Sequence, residues 1–175
     1  MNIFLKEANG IRDELIAMRR YLHQHAEIKD ELPLTSQFVR DKLTSWGIEN
    51  KELSKNGVVG ILGNRKGKTV LLRADMDALD IKEESGLPFS SITPYGHCCG
   101  HDLHTAMLLG AAKILKKYET EIHGTVKLMF QPGEEYFIGS LAMIEAGILK
   151  NPDVDIAVDM HMNAKKPVGN IGVCK

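Results

Sequence analysis

Cysteine is scarce in this chain: Cys98, Cys99 and Cys174 are the only three among 175 residues. The number is odd, and two of them are neighbours whose direct bridge would close a strained ring. A disulfide framework is therefore excluded as the source of stability. The CxxC spacing of a thioredoxin-like redox pair or a zinc ribbon is also missing. Long apolar runs are lacking; none approaches the length of a membrane span. The N-terminal MNIFLKEANGIRDEL carries acids early and has no signal-peptide apolar segment. Nor does charge of one sign dominate: 22 Lys and Arg face 23 Asp and Glu, a net charge of −1, and the basic residues are scattered. That balance speaks against a nucleic-acid or membrane partner. What remains is a soluble, cytoplasmic chain, long enough for one domain with a real core.

Apolar periodicity outlines the elements. Ile11, Leu15, Met18 and Leu22 predict a helix over about 5–25. A second is expected over 34–46, with Val39, Leu43 and Trp46 on one face and Gly47 ending it. GVVGILG (57–63) and TVLLRADMD (69–77) read as strands joined by the polar hairpin turn NRKGKT. Residues 78–98 have no clean period and read as a long functional loop. Leu103, Met107, Ala111, Ile114 and Tyr118 predict a helix from about 101. Then follow a strand at 124–131, a helix at 138–149, a strand at 154–161 and a short final strand at 168–173. Strands alternating with helices predict an α/β fold, a three-layer sandwich on a mostly parallel sheet. No repeat, low-complexity tract or linker divides the chain.

Ionisable residues gather where the strands end. TVLLRADMD delivers Asp75 and Asp77, VKLMFQPGEE delivers Glu134 and Glu135, and IAVDMH delivers Asp159 and His161. In open α/β sheets ligands bind beyond the carboxyl ends of the strands. GHCCGHDLH (96–104) precedes a helix and is expected on the same rim. Cys99, His101, Glu135 and His161 offer thiolate, imidazole and carboxylate, a set that suits zinc or a similar borderline metal. Glu134 points differently from Glu135 and stays free to act as the general base of a hydrolytic metal site.

Taken singly, these residues have plainer readings. Paired acids are mostly solvated surface, and DMD after a strand can cap a turn. Cys98 reads as a small buried filler, Cys174 as incidental and His123 as a surface residue. His104, three after His101, reads as a packing residue or a support for the ligands. His23 and His25 read as C-terminal helix caps. Only the conjunction on one rim turns the balance toward a site.

Together RRYLHQHAE, LLRADMDALDI, GHCCGHDLHTAMLLGAA, VKLMFQPGEE with GSLAMIEAG, and DMHMNAKKPVGNIGV run in one order from about residue 12 to 173. That series resembles the aminoacylase-like branch of the di-metal peptidase–amidohydrolase family. The branch includes hippurate hydrolases, indole-acetyl-amino-acid hydrolases and N-acetyl-diaminopimelate deacetylases. The joint presence of RADMDAL, CGHDLHT and FQPGEE makes the resemblance specific.

The resemblance implies a zinc-exopeptidase-like catalytic domain with two divalent metal ions, zinc, manganese or cobalt. It implies Cys99, His101, Glu135 and His161 as ligands, with Cys99 bridging, and Glu134 as the general base and acid. Asp75, Asp77, Asp102 and His104 are left to orient the ligands or line the pocket. The implied activity is hydrolysis of the amide of an N-acyl amino acid, acetyl, benzoyl or similar, or of a short peptide, by a metal-activated water. Ala26, Asp80, Cys98 and Ala164 depart from the branch's usual proline, proline, alanine and proline; none removes an expected ligand. The chain is also shorter than the branch. Residues 1–175 are expected to be the N-terminal portion of a C-terminally incomplete catalytic domain, without the lid and dimerisation domain, the last catalytic segment and one further metal-binding histidine. Apolar surface is then expected to be exposed, with a second copy or a separate C-terminal half as partner. The alternative is a non-catalytic remnant that binds metal or acts as an interaction module; a closed structural zinc site ranks last.

Overall fold

A computed structural model describes residues 2–64 and 66–173. Cys174 lies outside them. The predicted first helix is two: α1 (Ile3–Gly10) and α2 (Arg12–Gln24), broken at Ile11. Helix α3 (Pro33–Ser45) starts with proline in its first turn, where no intrahelical donor is needed. The Glu27 carboxylate accepts from the backbone N–H groups of Leu34 (3.2 Å) and Thr35 (2.8 Å), capping that end. Then come β1 (Glu49–Ser54), β2 (Gly57–Gly63), β3 (Thr69–Asp75), α4 (His101–Lys117), β4 (Thr125–Gln131), α5 (Gly139–Glu145) and β5 (Ile156–Asp159).

The strands form one sheet in the order β1-β2-β4-β3-β5. The expected parallel character holds for half of it: β3–β4 and β3–β5 are parallel, while β1–β2 and β2–β4 are antiparallel. The sheet is therefore mixed. NRKGKT does not close a hairpin, because β4 lies between β2 and β3. Strand β1 escaped the sequence reading: ENKELS is polar, sits at an edge and buries little, so it carries no apolar period. The expected strand at 168–173 is absent; those residues are exposed turn and coil. Helix α5 is shorter than 138–149, since the chain turns at Gly147 (φ +91°).

Three layers result. On one face α2, α3 and α4 bring Met18, Leu22, Val39, Leu43, Leu109 and Ala112 onto Val58, Leu62, Leu128 and Phe130 of the sheet. On the other, α5 and the turn after it bring Met143 and Ile148 onto Val59, Leu71 and Met129. Neighbours in one strand thus serve opposite layers, as the period of two demands. Lys127, on the face of Val59 and Met129, is buried too; its Nζ donates to the carbonyls of Ile148 (2.9 Å) and Lys150 (2.6 Å). Strand β5 stands apart: every residue in it is exposed. Between it and α4 lies a groove of about 90 Å³ walled by Leu72, Met107, Leu108, Ala111, Val158 and Met160.

Candidate metal centre

Because β3, β4 and β5 run parallel, their carboxyl ends open on one rim, as the sequence reading required. Strand β3 ends in Asp75 and continues to Asp77, both 1% exposed. Buried carboxylates are costly without partners, and each has them. The Asp77 oxygens accept from the backbone N–H groups of Glu134 (2.9 Å) and Glu135 (3.1 Å), fixing the turn after β4. Asp77 Oδ1 also lies 3.5 Å from His101 Nδ1. Asp75 Oδ1 lies 2.6 Å from His104 Nδ1, and its backbone carbonyl accepts from Thr105 Oγ1 at 2.9 Å. Asp75 Oδ2 faces Arg73 Nη1 at 3.1 Å.

The cluster read from GHCCGHDLH turns into α4 at Gly100, whose φ of +92° a side chain would resist. A Cβ there would only come into ordinary contact with Met162, at 3.4 Å. That bend lets Cys99 and His101, two apart, approach one point. Cys99 Sγ, a His101 ring nitrogen and a His161 ring nitrogen lie within 4.8 Å of one another. So do ligand atoms of His101, Glu134 and Glu135, and those of Asp75, His101 and His104. The Cys99 Sγ to His161 Nε2 distance is 3.4 Å. The four residues expected as ligands are thus gathered around His101, with Glu134 beside them.

His101 is fully buried, yet neither ring nitrogen has a hydrogen-bond partner, and neither has the buried Glu135 Oε1. His101 Nε2 sees Glu135 at 3.6 Å, Asp75 at 3.7 Å and Glu134 at 3.9 Å. Burial pulls the His101 pKa down, but Asp77, Asp75 and Glu135 outweigh it and hold it above the ordinary range. Burial pushes the Cys99 thiol up to about 12, with Glu135, Glu134 and Asp75 adding to the rise. For Asp75, burial is outweighed by the His104 hydrogen bond, His101 and Arg73, so its carboxyl stays low. Buried donors without partners amid surplus negative charge fit divalent cations, whose charge would favour the thiolate. Sulfur, imidazole and carboxylate are the donors borderline metals select.

Several plainer readings need correction. Cys98 is exposed rather than a buried filler, because it sits on the outer side of the loop. His23 is no helix cap: it is buried, with Nδ1 2.8 Å from Asp102 Oδ2 and Nε2 3.1 Å from Glu83 Oε1. Arg19 Nε meets the same Asp102 oxygen at 2.7 Å. Asp102 therefore turns toward α2, anchoring the start of α4 from behind rather than lining the pocket. His25 does cap α2, through Nδ1 on the Tyr21 carbonyl at 2.8 Å, and His123 is exposed.

The sequence reading missed Arg73, whose Nη1 lies 2.8 Å from Asp159 Oδ2 and whose Nε donates to Gln131 Oε1 at 2.9 Å. It also missed the Arg19–His23–Glu83 group. A cation inside the apolar run VLLRAD was the available signal for the first; Arg19 and His23, one helical turn apart, were the signal for the second.

Known proteins resemble this chain in sequence and in fold. The family model "Peptidase family M20/M25/M40" matches residues 71–174. An N-acyl-L-amino acid amidohydrolase of Geobacillus stearothermophilus is 40% identical over 93% of this chain and 45% of its own length. An N-acetyl-L-cysteine deacetylase of Bacillus subtilis is 39% identical over 93% of this chain and 39% of its own. The crystal structure of Bacillus subtilis YXEP, a dinuclear metal-binding peptidase of the M20 family, superposes with a TM-score of 0.90 at 38% identity. It is matched over 95% of this chain and 47% of that one. The chain thus spans less than half the length of these relatives. With the family model covering more than half of it, this chain belongs to peptidase family M20/M25/M40.

Proposed function

We propose that this protein serves a metal-dependent amidohydrolase that cleaves the amide of N-acyl amino acids, acetyl, benzoyl or similar, or of short peptides. The observation that carries the proposal is His101: buried, without hydrogen bonds, and common to the cysteine–histidine and the glutamate ligand groups. The names of the relatives above support the substrate class, and the dinuclear neighbour supports two metals.

In this reading Cys99, His101, Glu135 and His161 hold two divalent ions, zinc, manganese or cobalt. Such ions, when bound, supply Lewis acidity toward the scissile carbonyl and toward the attacking water. Asp77 faces His101 Nδ1 at 3.5 Å and, through two backbone N–H groups, holds the Glu134–Glu135 turn. Glu134, about one-third exposed at the rim, takes a proton from water as its oxygen bonds to the acyl carbon. It then returns that proton to the nitrogen as the C–N bond breaks, releasing a carboxylate and a free amino acid.

The proposal extends to how the chain is used. Residues 1–175 are read as the N-terminal portion of the catalytic domain. The rest, from the same or another chain, would cover the exposed β5 and the apolar groove beside α4. No helix among the described residues is long and apolar enough to cross a membrane. A cytoplasmic setting is part of this reading, on the scarcity of cysteine in the sequence.

The test is hydrolysis of N-acetyl and N-benzoyl amino acids with added manganese, cobalt or zinc, with and without a C-terminal half taken from a relative. Turnover is expected once the domain is complete, and Glu134→Gln is expected to lower it by about 10²–10⁴-fold with metal content unchanged. Full turnover in Glu134→Gln, or no metal uptake by the unaltered protein, would overturn the proposal.

A further inference from the structure

The exposed half of the centre presents a physical problem. His161 follows β5 in a stretch where every residue is exposed, and its ring meets the core only edge-on, its centroid 4.7 Å from that of His104. Its imidazole nevertheless stands with Nε2 3.4 Å from Cys99 Sγ. Polar contacts add to that hold.

The hydrogen bonds around Met162 are these contacts. His161 Nδ1 lies 2.7 Å from the Met162 carbonyl, which can only accept. The proton is thereby placed on Nδ1, leaving the Nε2 lone pair to face Cys99. The N–H of the same Met162 donates to His104 Nε2 at 2.9 Å. His104 is buried, and its other nitrogen, Nδ1, lies 2.6 Å from Asp75 Oδ1. An Nδ1–H on His104 satisfies both contacts at once: it donates to the carboxylate and leaves Nε2 to accept. Asp75 is held in turn by Arg73, which also reaches Asp159 on β5.

We infer that His104 is a positioning residue: through the backbone of Met162 it fixes the place and the tautomer of His161, carrying the order of the buried core to the exposed half of the metal centre. Asp75 acts behind it by fixing the His104 tautomer. The inference rests on the metal reading above for its purpose, but its hydrogen-bond content is independent of any metal. Groups that orient a histidine ligand are commonly worth about 10–100-fold in metal affinity.

The test uses the full chain, with cobalt(II) as probe and two substitutions that separate the roles of His104. His104→Asn can keep a donor toward Asp75 but is too short to accept from Met162. His104→Gln can present its amide oxygen near the place of Nε2. Cobalt titration followed by thiolate-to-cobalt absorption reads the Cys99–His161 half, and amide exchange at Met162 reads the hydrogen bond itself.

His104→Asn is expected to weaken cobalt binding at least about tenfold and to unprotect the Met162 amide while α4 amides keep their protection. His104→Gln is expected to recover most of both. Should His104→Asn be poorly folded, Asp75→Asn is expected to give the same pattern in milder form. Unchanged cobalt affinity and unchanged Met162 exchange in folded His104→Asn or Asp75→Asn overturn the inference. If the unaltered chain takes up no cobalt, the metal reading fails by itself, and Met162 exchange still decides whether His104 orders this segment.

Discussion

The two halves of the rim are held by different physics. The inner half, His101 and His104 on α4 with Asp75 and Asp77 after β3, is almost wholly buried behind Leu109, Leu128 and Phe130. The outer half, β5 and the residues through His161, is exposed throughout and is held by the backbone ladder to β3 and by polar links, Arg73 to Asp159 and Met162 to His104. Apolar burial gives the first half its precision at little risk of rearrangement. A few hydrogen bonds give the second half its position while leaving its apolar groove open. The centre is thus one rigid jaw and one tethered jaw.

The most forceful way to break that contrast is to attack each half with the same kind of truncation. Phe130→Ala should lower unfolding stability by about 3–5 kcal/mol, since its side chain is fully buried. Val158→Ala, on the exposed strand, should cost less than about 1 kcal/mol. Urea unfolding of both variants checks this; similar losses would show that β5 is packed after all.

A smaller effect sharpens the inner half. Asp77→Ala removes the carboxylate that lies 3.5 Å from His101 Nδ1 and the acceptor of two backbone N–H groups. It is expected to reduce divalent-metal affinity about 10–100-fold in calorimetric titration. Asp102→Asn, whose carboxylate faces Arg19 and His23, should change metal affinity less. The reverse order would mean that the anchoring from α2 governs the site.

For the outer half, Arg73→Met removes the cation shared by β3, β4 and β5. Stability should fall by about 1–3 kcal/mol, with faster amide exchange concentrated in residues 156–159. Exchange that quickens equally in α4 would count against a local tether.

The smallest effect concerns pH. At Glu83 burial works upward, but hydrogen bonds from Ser85 Oγ, the Ser91 N–H and His23 outweigh it and bring the pKa from an ordinary 4.5 to about 2. The folded value is below the unfolded one. Its contribution is therefore full above about 4.5 and is lost as pH falls through about 2. Acid titration of stability should be shallower in Glu83→Gln across that window, and a curve superimposing on the unaltered protein would remove Glu83 from the account.

What could be read beforehand follows the same division. Elements that bury a face announce themselves: the period of α4 and the apolar run of β4 are visible because packing demands them. The polar edge strand β1 demands nothing of the kind, and neither does the partner choice of β2, which depends on a strand much later in the chain. The candidate ligands were legible because few structures need sulfur, imidazole and two acids at strand ends. The inward turn of His23 was not, since a histidine near a helix terminus has an adequate local explanation, and only the fold brings Asp102 and Glu83 to it.

The place of β4 at the centre of the sheet also bears on how the molecule is made. Strand β2 has β1 as an early neighbour, but its other edge, and β3 entirely, wait for β4. Until residue 131 has left the ribosome they present unsatisfied backbone edges, the form in which nascent chains are most prone to stick to one another. The emergence of residues 100–131 should accordingly be the stage at which chaperone occupancy peaks.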